Sequence, residues 1–346
     1  MPRLVYGGHQ EIYQRRSTLF LCQRMDTDKT ELCFPHLHNS SCRKSKIDPT
    51  ENLITSVLLG FVSILTSVLN LLVIIAIAHF RQLHTSTNLA LLSLAVSDFL
   101  VGLVIIPVEG IKKKICWTLG DLMCLVYFVL SLTIFVSSIG NIILISVDRY
   151  VAICQPLLYQ SKMTRKVVTI SICVCWLYAF VYSILFLLEN FRYPGKYKSC
   201  EGECVIYYSK EVDIIMGFVI PFSIIIFLYA RVVIVAVSQA RAMRSQVTAV
   251  TSKTSKRSEI KAVRSLGIVV VVYIACYFPY CFIVYSETYI TILGIPLIVI
   301  TISLVNLNSL MNPLMYTMLF PWFRNAIKLI ITFQILKTGS SDLNIF

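Results

Sequence analysis

Two aspartates, Asp98 and Asp213, stand inside runs of otherwise apolar residues, and the stretch Asn308 to Phe323, NSLMNPLMYTMLFPWF, places two amides and a proline in another. A carboxylate at the centre of a bilayer costs roughly 2.5–3.5 kcal/mol on insertion scales, so each such group calls for a partner or a ligand. Asp98 with Asn70, Asn308 and Asn312 has the donors of a polar cluster that binds a sodium ion. The alternative is that these groups only hydrogen-bond one another between helices. No other metal is expected: Cys173, Cys175, Cys276 and Cys281 lie within apolar runs, where small packing residues are the ordinary reading.

A second group, Asp148-Arg149-Tyr150, ends the third apolar run, and Glu259 precedes the sixth. An arginine at that depth needs a carboxylate, and these two offer one beside it and one across a bundle. Breaking an Arg149–Glu259 contact would let the sixth run swing outward, the kind of two-state element that signalling uses. A surface ion pair at a helix end is the plainer reading of an isolated Asp-Arg pair.

The elements that carry these residues are long and apolar. Hydrophobic residues make up 57% of 346 and charged ones 14%, which excludes a soluble domain. Seven runs read as membrane spans, near 53–78, 87–110, 122–147, 166–188, 212–238, 266–286 and 293–320. The chain is therefore predicted to be an all-α membrane protein, a seven-transmembrane helix bundle. The expected divisions are an outer segment 1–52, a bundle 53–320, and an inner segment 321–346. In the last, Ala326, Ile327, Ile330 and Ile331 share a helical face opposite Arg324 and Lys328, the pattern of a short amphipathic helix in contact with membrane lipids. Residues 1–24 carry no long apolar core, and Met25 is an alternative to Met1 as the start, so the sequence leaves open whether 1–24 belong to the mature chain.

The net charge of +13 comes from basic residues flanking the spans rather than from a nucleic-acid surface. Most fall on one side if the amino terminus is extracellular. Asn39-Ser40-Ser41 is a glycosylation acceptor, which favours the same orientation. Cys33, Cys42, Cys116, Cys124, Cys200 and Cys204 then lie in a compartment that permits disulfides. Cys124 and Cys204 are placed to tie the second outer loop across the bundle mouth, leaving Cys200 for Cys33, although sequence does not fix connectivity.

Asn70, Leu94-Ala95-Val96-Ser97-Asp98, Cys124, Asp148-Arg149-Tyr150, Trp176, Pro221, Phe278-Pro279 and Asn312-Pro313-Leu314-Met315-Tyr316 occur one set per span. In this order they resemble the landmarks of rhodopsin-like G-protein-coupled receptors. Within that class, the stretch from Asn308 to Phe323 resembles the signature of trace amine-associated receptors. CFPHLHNSSC at Cys33 to Cys42 and the pair Cys200 and Cys204 accord with it. The resemblance implies a switch formed by Asp148, Arg149, Tyr150, Glu259, Asn312, Pro313 and Tyr316. It also implies a plasma-membrane location in cilia of olfactory sensory neurons. The implied partners are a stimulatory or olfactory-type G protein, arrestin and a receptor kinase.

Departures from the family pattern fall where the ligand binds. The aspartate that most amine receptors carry in span three is Ser131, the tryptophan before Phe278-Pro279 is Tyr277, and the span-seven tyrosine is Asn306. Asp213, two turns before Pro221, is the expected replacement for the missing counter-ion; in this the chain resembles fish trace amine-associated receptors that lack the span-three aspartate, which implies an amine held in an inverted pose. A protonated amine pairs with such a carboxylate by charge-assisted hydrogen bonds, and Tyr127, Tyr277, Tyr280 and Tyr285 offer aromatic faces. If Glu109, Glu189 or Glu287 faces Asp213, a diamine or polyamine fits better than a monoamine. The alternative is a receptor for a non-amine ligand, with Asp213 structural. A transporter lacks support because no inverted repeat is visible. An intramembrane enzyme lacks it because no nucleophile and base pair lies at membrane depth.

Overall fold

Apolar runs of this length satisfy their backbone in hydrocarbon only as helices, and helices dominate the computed structural model. It describes residues 31–37, 39–44, 49–112, 115–245, 253–286, 291–292, 295–319, 321–337, 339–343 and 345. Side chains at 51, 240–266, 269, 285, 291–296, 299, 318 and 319 lie outside that description. Helix α1 is Pro49–His79. Helix α2 runs from Ser86–Leu100 through a π-helical turn, Val101–Ile105, into Ile106–Lys112. Helices α3 and α4 are Gly120–Cys154 and Arg165–Phe186. Helix α5 begins at Lys210–Val212, passes a second π-helical turn at Asp213–Val219 and continues as Ile220–Ser245. Helices α6, α7 and α8 are Lys253–Ser286, Leu297–Leu319 and Pro321–Ile331.

Helices α1 to α5 are each long and apolar enough to cross a membrane, and α6 carries the apolar stretch Val270–Val284. Packed along α6, α7 completes the seven-helix bundle. Local chemistry sets several ends. Thr85 and Thr164 accept the backbone N–H groups of Asn88 and Val167 at 3.3 Å, capping α2 and α4. Between α6 and α7, Thr291–Ile292 pairs antiparallel with Ile295–Pro296, so α7 starts at 297 rather than 293. Pro296, with no N–H to continue a ladder, closes that turn.

The apolar core sits in the inner half. Val73 and Ile77 of α1, Phe80 just after it, Leu94 of α2, Ile142 of α3, Tyr273 of α6 and Tyr316 of α7 belong to one buried cluster. Leu58, Ile170 and Phe227 are over half exposed and face outward, where lipid covers them. At the inner edge, Trp322, Phe323 and Ala326 of α8 join the core against α1, while Ile331 stays 62% exposed. The buried stripe of α8 thus starts one turn earlier than the sequence suggests, because the Trp322-Phe323 pair outweighs the smaller isoleucine. The chain end returns to the same place: Arg81 pairs with Asp342 at 3.3 Å, and His79 Nε2 lies 2.9 Å from Ser340 Oγ.

Candidate functional site

Proline at 313 removes the N–H that would bond the carbonyl of Ser309, four residues back. That carbonyl instead accepts from Asn70 Nδ2 of α1 at 3.0 Å, so the break in α7 becomes a link across the bundle. One turn on, Asn312 Nδ2 donates to Asp98 Oδ2 at 2.7 Å, and the Ser309 hydroxyl also reaches Asp98. Asn70, Asp98, Asn308 and Asn312 are all at most 1% exposed; Asn312 bonds Asp98 directly, and Asn70 reaches α7 through the Ser309 carbonyl. Asp98 Oδ1, Asn70 Oδ1 and both amide atoms of Asn308 have no hydrogen-bond partner among the described residues. Leaving such groups unpaired at membrane depth is costly.

At the inner end of α3, Asp148 is 1% exposed and collects three donors. Arg149 pairs with it, Thr87 of α2 donates at 2.7 Å, and Tyr159 of the short helix Pro156–Lys162 donates at 2.9 Å. Arg149 also reaches Thr87. The arginine is thus held by its neighbour and by α2, with the Glu259 side chain outside the described residues. Tyr150 packs beside Ile153 and Val232, joining α3 to α5.

In the outer half lies a cavity of about 330 Å³. Asp213, Ser131, Tyr277, Tyr280 and Asn306 line it, with Phe128 and Phe135 of α3, Phe186 of α4, and Tyr208 just before α5. Asp213 is the only charged residue in the wall among the described residues. It opens the π-helical turn of α5, a local widening that recurs at functional sites. A Cβ added at Gly217 would stand 3.5 Å from Asp213 Oδ1 and 3.9 Å from the Phe135 ring, so the carboxylate lies over a bare stretch of α5 and faces α3. It accepts no hydrogen bond from any described residue, and the neighbouring Tyr280 is hydrogen-bonded to Tyr208. Ser131 spends its hydroxyl on the Tyr127 carbonyl of its own helix, at 2.8 Å.

Two expectations need correction here. Tyr127 does not line the cavity: its hydroxyl donates to Glu109 at 2.7 Å, one turn outward, because a buried phenol takes the nearest carboxylate. Nor does Glu109 wait for a ligand, since Lys112 pairs with it at 3.2 Å. The Tyr285 side chain and Glu287 lie outside the described residues. Phe128, Phe135, Phe186 and Tyr208 were not singled out from sequence, because aromatics in apolar spans look like packing residues until the cavity shows which of them face it.

Three disulfides build a cap over this mouth. Cys124–Cys204 joins α3 to the second outer loop. The expected Cys33–Cys200 bond does not form: Cys33 bonds Cys116, and Cys42 bonds Cys200. The amino-terminal segment folds back on itself, Cys33 N donating to Cys42 O at 2.8 Å, so the two cysteines sit side by side and serve different loops. Cys42 N donates to Glu201 O at 2.9 Å, which places Cys42 beside Cys200 and leaves Cys33 to the first outer loop. Lys198 ties the cap to α3 through Asp121 and to Glu201, at 3.0 and 2.9 Å. Burial pushes the Glu203 carboxyl above its ordinary value, against a hydrogen bond from Ser199 N. Asn39 is exposed on this cap.

A seven-helix bundle with an outer cavity, a polar knot around Asp98 and an Asp-Arg pair at the inner face defines a rhodopsin-class receptor. Residues 69–316 match the family model described as 7 transmembrane receptor (rhodopsin family). Trace amine-associated receptor 9 of Homo sapiens is 33% identical over 334 residues, covering 92% of this chain and 96% of that one. Trace amine-associated receptor 13c of Danio rerio is 33% identical, covering 92% and 97%. Trace amine-associated receptor 8a of Rattus norvegicus is 32% identical, covering 91% and 96%. The chain belongs to the trace amine-associated receptors. As such it is a multi-pass plasma-membrane receptor whose partner classes are a small-molecule ligand and a heterotrimeric G protein.

Proposed function

We infer that the chain senses amine odorants through Asp213 and signals to a stimulatory, olfactory-type G protein that raises cyclic AMP. The observation that carries the ligand half is the Asp213 carboxylate, the one charge among the described residues of the cavity wall, accepting no hydrogen bond from any described residue. An ammonium ion supplies the missing donors, and Tyr277 and Tyr280 supply faces for the adjoining carbons. With Ser131 in place of a span-three acid, the charged end of the ligand lies toward α5 and its apolar end toward Val101, Ile105 and Ile302.

Asp98 Oδ1, Asn70 Oδ1 and the Asn308 amide offer the oxygen-rich setting a sodium ion takes, next to a carboxylate that needs a counter-charge. Such an ion would hold α2 and α7 in the resting arrangement. Receptor kinase and arrestin would end the signal, and cilia of olfactory sensory neurons would be the site of action. The amino terminus would be extracellular, with Asn39 glycosylated.

The test is a panel of alkyl and aryl amines beside their N-acetyl analogues, with cyclic AMP as the readout. Amines are expected to activate, and the uncharged amides to be silent. Equal responses to amine and amide would favour a receptor for a non-amine ligand, with Asp213 structural.

A further inference from the structure

One turn outward of the cavity wall, α2 and α3 build a second cation site, and it is already filled. Glu109 stands four residues beyond Ile105, and Tyr127 four residues before Ser131, both of which line the cavity. At 1.5 Å per residue the shift is about 6 Å along each helix. Phe128 belongs to both places. The Lys112 ammonium lies 3.2 Å from Glu109 Oε1, 4.8 Å from the centre of the Tyr127 ring and 4.2 Å from that of Phe128. The Tyr127 hydroxyl holds the same carboxylate oxygen at 2.7 Å. The Lys112 and Glu109 side chains are 13% and 26% exposed. A carboxylate with two aromatic faces is the setting that recognises alkylammonium ions, and here the alkylammonium comes from the chain itself.

We propose that Glu109, Tyr127 and Phe128 form a second ammonium subsite that the receptor occupies with its own Lys112, so that ligands carrying one ammonium group are selected over diamines. The proposal rests on the reading of Asp213 as the site of the first ammonium. A diamine anchored at Asp213 must leave its second charge in a cavity with no second carboxylate among the described lining residues, or displace Lys112 from a site already satisfied. Both carry a penalty that a monoamine of the same length avoids. Lys112 acts as an internal competitor and sets specificity without touching the ligand.

The experiment uses the full-length receptor in membranes, with linear monoamines and 1,ω-diaminoalkanes of four to ten methylenes as probes. It reads the ratio of diamine to monoamine affinity, with surface expression measured in parallel. In the unaltered receptor the best diamine is expected to bind about tenfold or more weakly than its matched monoamine, one charge-assisted hydrogen bond being worth a factor of that order. Lys112→Gln is expected to close most of that gap, Lys112→Arg to keep it, and Lys112→Gln combined with Glu109→Gln to restore it. Diamines binding the unaltered receptor as well as monoamines would overturn the proposal, and that result needs no variant to fold. So would Lys112→Gln reaching the surface with the ratio unmoved. Failure of the underlying reading looks different: Asp213→Asn would then leave monoamine affinity intact, and the proposal would fall with it.

Discussion

Replacing Asp148 by asparagine should raise ligand-free signalling, and the structure sets the scale. The carboxylate is 1% exposed and accepts from Arg149, Thr87 and Tyr159, so solvent screens these contacts little. Asparagine keeps the shape and loses the charge. Hydrogen bonds to a charged group are worth about 1.5–3 kcal/mol. If one such contact holds only in the resting arrangement, its loss multiplies the active-to-resting ratio about 10- to 150-fold. Thr87→Val and Tyr159→Phe remove one donor each and leave the Arg149 pair, so each should fall below Asp148→Asn. The assay is ligand-free nucleotide exchange on the G protein, normalised to receptor at the cell surface, because breaking a buried pair also lowers yield. Basal exchange equal to the unaltered receptor at full surface level would refute the reasoning. So would a Thr87 or Tyr159 variant more active than Asp148→Asn.

Four other outcomes follow from the same geometry. Asp98→Asn should abolish any sodium dependence of agonist affinity, checked by binding with sodium or a large organic cation as the only salt; persistence of the sodium effect would place the ion elsewhere. A Cβ at Gly102 would come within 2.8 Å of the Ser67 backbone nitrogen, where α1 and α2 meet, so Gly102→Ala should cost about 1–3 kcal/mol and lower Tm. Cys42→Ser should untie the amino-terminal segment from the second outer loop while Cys33–Cys116 still holds it to the first, giving faster proteolysis between residues 34 and 44. Glu203 has its pKa raised in the folded cap, so its contribution is present below the ordinary carboxylate range and lost as pH rises through the raised value. The cap should therefore gain thermal stability on mild acidification, and Glu203→Gln should remove that dependence.

The sequence was most informative where physics leaves few choices. Apolar runs too long for a soluble core had to be helices, and Asn312 meets Asp98 because a carboxylate at membrane depth must take what donors the neighbouring helices offer. It was least informative where the choice depends on which face turns inward. Asp213 faces the cavity through a π-helical turn, which no residue pattern announces. Tyr127 fits a ligand wall by type yet turns to Glu109 instead. The cysteine pairing depended on a fold within residues 31–44 that brings Cys33 beside Cys42, and spacing carries no trace of it.

The most direct measurement of the central claim is the affinity of an activating monoamine for Asp213→Asn and Asp213→Glu beside the unaltered receptor. The carboxylate contact predicts a loss of about 10- to 150-fold for asparagine, from about 1.5–3 kcal/mol for a hydrogen bond to a charged group, and a smaller loss for glutamate. Unchanged affinity in Asp213→Asn, with the protein at the cell surface, would contradict the account.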